Sequence, residues 1–235
     1  ILFSAGVTNR IGRVEDGTTK SDYTPDEIAR KISISATMLH CDWKGTKLNV
    51  IDTPGYADFT GEAKGGMRAV DGAVVLLNAM SGVEVGTEKV WGYASEYNIP
   101  CLLLVNHTDK EFANFDKTLA SATDRFGKGV VALHLPVNPG LGFNGVVDVL
   151  RMRTFTYATD GSGKVEEGDV PAALADRAAE MRERLIEAVA ESDDALTEKY
   201  LEQGELSPED VLQGLRAGVA GRTLFNHPFS GTTEI

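Results

Sequence analysis

The stretch NVIDTPGYADF (residues 49–59) carries an apolar run into an aspartate, and LVNHTDK (104–110) carries another into Asn106-His107-Thr108-Asp109. A carboxylate at a strand tip can hold Mg²⁺ through water, which gives Asp52 a metal role beside a polyphosphate. Thr53 continues the turn, Pro54 fixes its φ, and Gly55 has no side chain, so its N–H can approach a terminal phosphate. Asp-Thr-Pro-Gly is equally good turn chemistry, and a plain strand cap stays open for Asp52 at this point. Asp109 can accept two parallel hydrogen bonds from the N1–H and amino group of guanine, a donor pair that adenine lacks. Asn106 can bond the base and tie neighbouring loops together. Taken alone, the same residues also read as a solvated loop.

Such residues need a scaffold that gathers strand tips along one rim. KISISATMLHCDW (31–43) reads as a strand, and KLNVID (47–52) as its hairpin partner across Lys44-Gly45-Thr46. GAVVLLNA (72–79), CLLLVN (101–106) and VVALHLPV (130–137) are near-continuous apolar strands, separated by helices near 86–97 and 113–126. That alternation predicts an α/β fold with a doubly wound, mostly parallel sheet, whose ligands bind at the carboxyl ends of strands. Upstream, ILFSAG reads as a helix end closed by Gly6, residues 17–25 as a loop, and Pro25 as the opening of a short helix. After Asn138 the pattern changes. Two strands fall within FNGVVDVL and RMRTFTYA, TDGSGK is a turn, and helices follow at about 171–192 and 207–220. The chain therefore divides into a core over 1–137, an α+β insertion over 138–222, and a return strand with the end of the core over 223–235.

Composition bounds the function. Hydrophobic residues make up 42% and charged residues 25%, enough for a sizeable core. No apolar run approaches the roughly 20 residues of a membrane span. Cys41 and Cys101 have no metal-type spacing and read as reduced, buried thiols of a cytoplasmic protein. A net charge of −12 argues against sequence-specific or broad nucleic-acid binding by these residues. Between Lys164 and Asp210 there are fifteen Asp/Glu and five Lys/Arg, so that segment carries 5 − 15 = −10.

DTPG at 52–55 followed by NxxD at 106–109 in an α/β chain resembles a translational GTPase. The likeness is closest to the GTP-binding domain of elongation factor G and its elongation-factor-G-like paralogues. It extends through VDGAVVLLNAMSGVEVGTEKVW (70–91), FNGVVDVLRM (143–152) and LTEKYLEQGELSPEDV (196–211). The resemblance implies a P-loop-NTPase-like sheet, GTP or GDP with Mg²⁺ as ligands, and the ribosome as partner. By position, Asp52, Thr53, Pro54 and Gly55 form the third GTP motif, and the segment onward to Val70 the second switch. Asn106, His107, Thr108 and Asp109 form the guanine motif. ARKISIS (29–35) ends the first switch, with Ser33 where the family has a Mg²⁺-ligating threonine. Ser230-Gly231 lies near the Ser-Ala motif that touches the guanine oxygen.

The departures are specific. No GxxxxGK[ST] loop occurs in these 235 residues, so the chain is expected to start inside its domain and not to bind GTP tightly by itself. Tyr56 stands where most relatives have a histidine that orients the attacking water, and it is the one catalytic candidate. His107 and Thr108 replace a lysine and an apolar residue. Two further readings stay open: a non-hydrolysing paralogue that occupies the ribosomal factor site, and a ribosomal protection factor.

The insertion adds a signal of its own. Asp176, Glu180, Glu183, Glu187 and Glu191 recur at helical spacing, opposite Leu174, Ala178, Met181, Leu185 and Val189. The stripe reads as a solvated face or as a docking surface for a basic partner; the resemblance implies the ribosomal stalk protein. His40, His134 and His227 have no partners at ligand spacing, and Trp43 and Trp91 read as packing residues.

Overall fold

The computed structural model describes residues 1–158 and 164–227. At the N-terminus the chain makes a helical turn and no full helix. Val7 N donates to Leu2 O and Gly6 N to Phe3 O, with Gly6 at φ +72°. These are the paired bonds of a Schellman end, so Gly6 does close the turn. The short helix α1 (Pro25–Arg30) follows, started by a Thr24–Glu27 capping box with Pro25 at its first position.

Strands β1 (Thr37–Trp43) and β2 (Thr46–Asp52) form an antiparallel hairpin in register from Thr37↔Asp52 to Trp43↔Thr46. Lys44 and Gly45 both have positive φ, as a two-residue hairpin turn requires. The strand expected from residue 31 begins only at Thr37. The Glu27 carboxylate takes the N–H groups of Ile34 and Ser35, which removes them from any ladder. Trp43 is 46% exposed at the hairpin tip and is not the packing residue expected there.

A 3₁₀ turn (Ala57–Phe59) leads into α2 (Thr60–Met67). The chain continues through β3 (Ala73–Asn78), α3 (Val85–Glu96), β4 (Cys101–Asn106), α4 (Phe115–Phe126) and β5 (Val130–Ala132). Then come β6 (His134–Val137), β7 (Gly145–Asp148), β8 (Arg153–Tyr157), β9 (Val165–Asp169), α5 (Ala175–Ala190), α6 (Asp194–Gln203), α7 (Pro208–Ala220) and β10 (Phe225–His227).

The main sheet is parallel in the order β3-β4-β10-β5, so the last described strand enters between two earlier ones. A second sheet, β6-β7-β8-β9, is antiparallel throughout. The single strand expected over 130–137 is therefore two strands in two sheets. Leu133 is the crossing point, its carbonyl accepting from Val149 N. Both halves are apolar because both are buried, which hides the break from periodicity. β9 (VEEGD) is an acidic edge strand held by Arg153, which bonds Glu167 and Asp169. α6 is capped by Asp193 and closed by Gly204 at φ +76°. Neither β9 nor α6 is predicted from the pattern. Of the TDGSGK turn, only Lys164 lies within the described residues.

One core joins the two sheets. Val75, Leu77, Leu103 and Val105 of the parallel sheet share it with Leu135 and Val147, and with Ala178, Leu185 and Val189 of α5. Trp91 stacks on Phe126 at 4.1 Å and meets Phe225 edge-on at 4.5 Å, fixing α3 against α4 and β10. Cys41 and Cys101 are free and buried. On β3 the residues alternate. Val75 and Leu77 face the core, while Val74 and Leu76 are 57% and 56% exposed.

Candidate nucleotide site

Asn106 ends β4 directly beside Asn78, which ends β3. Beyond Asn106 the chain turns sharply, with His107 at φ +63°. The turn is held by main-chain bonds: Ala79 N donates to Asn106 O at 2.9 Å, Lys110 N to His107 O at 3.2 Å, and Ala113 N to Lys110 O at 3.0 Å. Asn114 N donates to Ala79 O, and the Asn114 side chain caps α4 through Lys117 N. Gly140, in the turn between β6 and β7, donates its N–H to Thr108 O at 2.8 Å. Thr108 itself is 1% exposed.

Within this tied loop two buried side-chain atoms have no hydrogen-bond partner among the described residues: Asp109 Oδ1 and His107 Nδ1. The other carboxylate oxygen of Asp109 lies 3.5 Å from Lys110 Nζ. A buried acceptor without a donor is costly, so a site that keeps one is matched to a ligand that supplies the donor.

The loop after β2 is built differently. Asp52, Gly55 and Tyr56 are exposed, Thr53 is half-buried and Pro54 buried. Tyr56 O accepts from Phe59 N at 3.0 Å, which starts the 3₁₀ turn. α2 (TGEAKGGM) carries three glycines, each a weak helix former. A Cβ on Gly66 would lie 3.0 Å from Thr53 Cγ2 and 3.3 Å from Ile51 Cγ2, so α2 packs closely on the end of β2.

Residues 19–37 form a third segment. Ser33 Oγ donates to Asp22 Oδ1 at 2.6 Å, and Thr19 Oγ1 donates to Asp22 Oδ2 at 3.2 Å. Because Ser33 gives its only hydroxyl proton to Asp22, its lone pairs stay available to a hard cation. Glu27 is 1% exposed. Burial pushes its pKa up, but bonds from the Thr24 side chain and the N–H groups of Ile34, Ser35 and Thr24 outweigh that and hold it at about 2. Ala36 N donates to Glu62 Oε2 of α2 at 2.8 Å, which joins this segment to the one after Asp52.

The structure thus brings Thr108 together with Gly140, and Ser33 with Asp22. Asp52 and Asp109 both stand at carboxyl ends of strands, in separate sheets. Ser230 and Gly231 lie outside the described residues. Asp22, Glu27 and Glu62 are not among the residues singled out by sequence. The signal for Glu27 was present in Thr24-Pro-Asp-Glu27, a capping-box spacing. Among the described residues no group of three or more His, Cys, Asp or Glu is placed to hold a metal. No helix among them is long and apolar enough to cross a membrane.

The family described as the elongation factor Tu GTP binding domain matches residues 1–209. The chain belongs to this family of GTP-binding domains. A solved protein from Thermus thermophilus superposes on it with a TM-score of 0.91 at 30% identity. The match covers 98% of this chain and 34% of that one, so the chain spans about a third of the length of that protein. Guanine nucleotide is the ligand such a domain implies, and the residues present fit it. Asp109 offers an unmatched buried acceptor, and Ser33 and Asp52 offer oxygen donors suited to Mg²⁺.

Proposed function

We propose that this G domain serves a cytoplasmic, ribosome-associated GTPase of the elongation-factor-G-like branch, which binds GTP and GDP with Mg²⁺ and hydrolyses GTP in the full protein. The observation that carries the reading is Asp109 Oδ1, a buried carboxylate oxygen with no partner among the described residues, on a loop tied by main-chain hydrogen bonds. It suits the N1–H and amino donors of guanine. Asn106 fixes the loop beside β3, and the His107 ring flanks the base. Asp52 and Ser33 hold the metal side, Asp52 through water. Mg²⁺, when bound, neutralises charge that develops on the phosphoryl oxygens. The Gly55 N–H meets the terminal phosphate. Tyr56, 58% exposed, orients the attacking water through its hydroxyl.

The insertion supports a partner role. Asp176, Glu180, Glu183, Glu187 and Glu191 are exposed along α5, while Ala178, Leu185 and Val189 are buried on its other side. Within this stripe Glu180 pairs with Arg184 at 2.7 Å, and that pair is solvent-exposed on both sides. We assign the face to a basic surface of the ribosomal stalk protein.

Single-turnover GTP hydrolysis by the full protein, with and without ribosomes, tests the reading. Ribosome-stimulated turnover that Tyr56→Phe slows is the expected result. A full protein that binds no guanine nucleotide would sink it. Glu183→Lys with Glu187→Lys should weaken stalk binding and stimulated turnover; unchanged values for both would remove the stalk assignment.

A further inference from the structure

We infer that Gly140, in the turn between β6 and β7 of the second sheet, is a positioning residue for the guanine-reading loop and thereby sets base selectivity. The inference rests on the nucleotide reading above. It assigns to the insertion side of the molecule a part in reading the base.

The geometry is local and specific. Gly140 donates its N–H to the carbonyl of Thr108, the residue just before Asp109, at 2.8 Å. Its own carbonyl accepts from Phe143 N at 2.9 Å, so the turn is anchored on both sides. Gly140 sits at φ +96°, a conformation that L side chains rarely adopt. Space is not what demands glycine, since a Cβ there would meet Lys110 O at 3.7 Å and Glu111 O at 3.9 Å, ordinary contact distances. The demand is conformational. A side chain at 140 forces the turn toward another φ and swings the N–H away from Thr108.

On the opposite flank Ala79 holds the same loop, through Asn106 O and Asn114 N. The Asp109 carboxylate touches neither brace; it depends on the backbone between them. Two parallel bonds to a purine edge tolerate little displacement, so loss of one brace degrades the pair before it degrades the fold.

The experiment measures affinity of the full protein for guanosine diphosphate and inosine diphosphate, which lacks the 2-amino group, by fluorescence titration. Wild type should prefer guanosine diphosphate by roughly tenfold or more, the usual cost of leaving a charged acceptor unmatched. Gly140→Ala should weaken guanosine diphosphate binding about tenfold and compress the preference to about threefold or less. Gly140→Asn, the side chain best tolerated at positive φ, should recover part of both. A merely structural glycine would lower the melting temperature and weaken both ligands alike. An unchanged preference in folded Gly140→Ala overturns the inference.

Should the alanine variant not fold, amide hydrogen exchange on wild type decides. A slow Gly140 N–H, slowed further by guanosine diphosphate, supports the brace; exchange at the rate of an open loop refutes it. Wild type that binds neither nucleotide refutes the nucleotide reading itself. Wild type that binds both equally refutes the role of Asp109.

Discussion

Replacing Glu27 by glutamine should release the segment that carries Ser33. The Glu27 carboxylate spans its own helix start and the chain seven and eight residues later, bonding Thr24 on one oxygen and Ile34 and Ser35 on the other. Glutamine keeps one acceptor and turns the other into a donor that faces the Thr24 N–H. A drop in pKa from 4.5 to about 2 corresponds to about 3.4 kcal/mol at about 1.36 kcal/mol per pH unit. Glutamine retains a carbonyl acceptor and with it part of these bonds, so about 2 kcal/mol is the working figure for the substitution. That is about 30-fold in the local opening equilibrium. Amide exchange at Ile34 and Ser35 should therefore quicken about 30-fold in Glu27→Gln at neutral pH, with far smaller changes in β3 and β4. Because the folded pKa lies below the unfolded one, this stabilisation is complete above about pH 4.5 and disappears as pH falls toward about 2. The gap between wild type and variant should close over that window. Equal protection of Ile34 and Ser35 in both proteins at pH 7 would show that Glu27 does not hold the segment.

Three further outcomes follow from named contacts. Asp109→Ala should cut guanosine diphosphate affinity by about 100-fold or more, yet leave the melting temperature unchanged or higher, because it removes a buried acceptor that has no partner; paired calorimetry and titration check this. Arg222→Ala loses bonds to Ala94 O at 2.6 Å and Ser95 Oγ at 2.9 Å, which fasten the approach to β10 onto the end of α3; a cost of about 1–2 kcal/mol should appear as a fall of about 3–6 °C in thermal unfolding of the domain. Gly65→Ala should stiffen α2 by up to about 1 kcal/mol, because nothing lies within 4 Å of its Cβ position, whereas Gly66→Ala should gain little against Thr53 and Ile51; amide exchange across 60–67 separates the two.

The parallel strands were legible as continuous apolar runs bounded by Asn, Gly or Pro, a pattern that β3 keeps although Val74 and Leu76 are exposed. Asn78 and Asn106 show this best, closing adjacent strands in register. The site motifs were legible for a related reason: a strand tip followed by Asp-Thr-Pro-Gly or Asn-x-x-Asp is a local pattern. What stayed hidden was long-range. The break at Leu133 leaves no mark, since Val130–Ala132 and His134–Val137 are apolar for different neighbours. β9 could not be read from VEEGD because its pairing depends on Arg153 across the sheet. The Asp22–Ser33 bond joins residues eleven apart across the short helix α1, and no local spacing marks it. The Gly140–Thr108 bond reaches across α4, β5 and β6, so neither residue announces the other.

The two ends of the proposed nucleotide site are held by different kinds of contact, and the sequence explains why. The loop at 106–114 is bonded to Ala79 and Gly140 through its main chain, and Thr108 and Phe115 are buried. A base reader gains from that rigidity, since base identity does not change during turnover. The segment after Asp52 is held chiefly by a glycine-rich helix, by Ala36–Glu62, and by an exposed Lys64–Glu96 pair at 2.8 Å. Exposed pairs of this kind hold weakly. A phosphate sensor needs that softness, because only an element near balance between two states can be moved by the gain or loss of one phosphoryl group. In the proposed cycle Ala36–Glu62 would give such a movement a direction, because it fastens the Ser33 segment to α2.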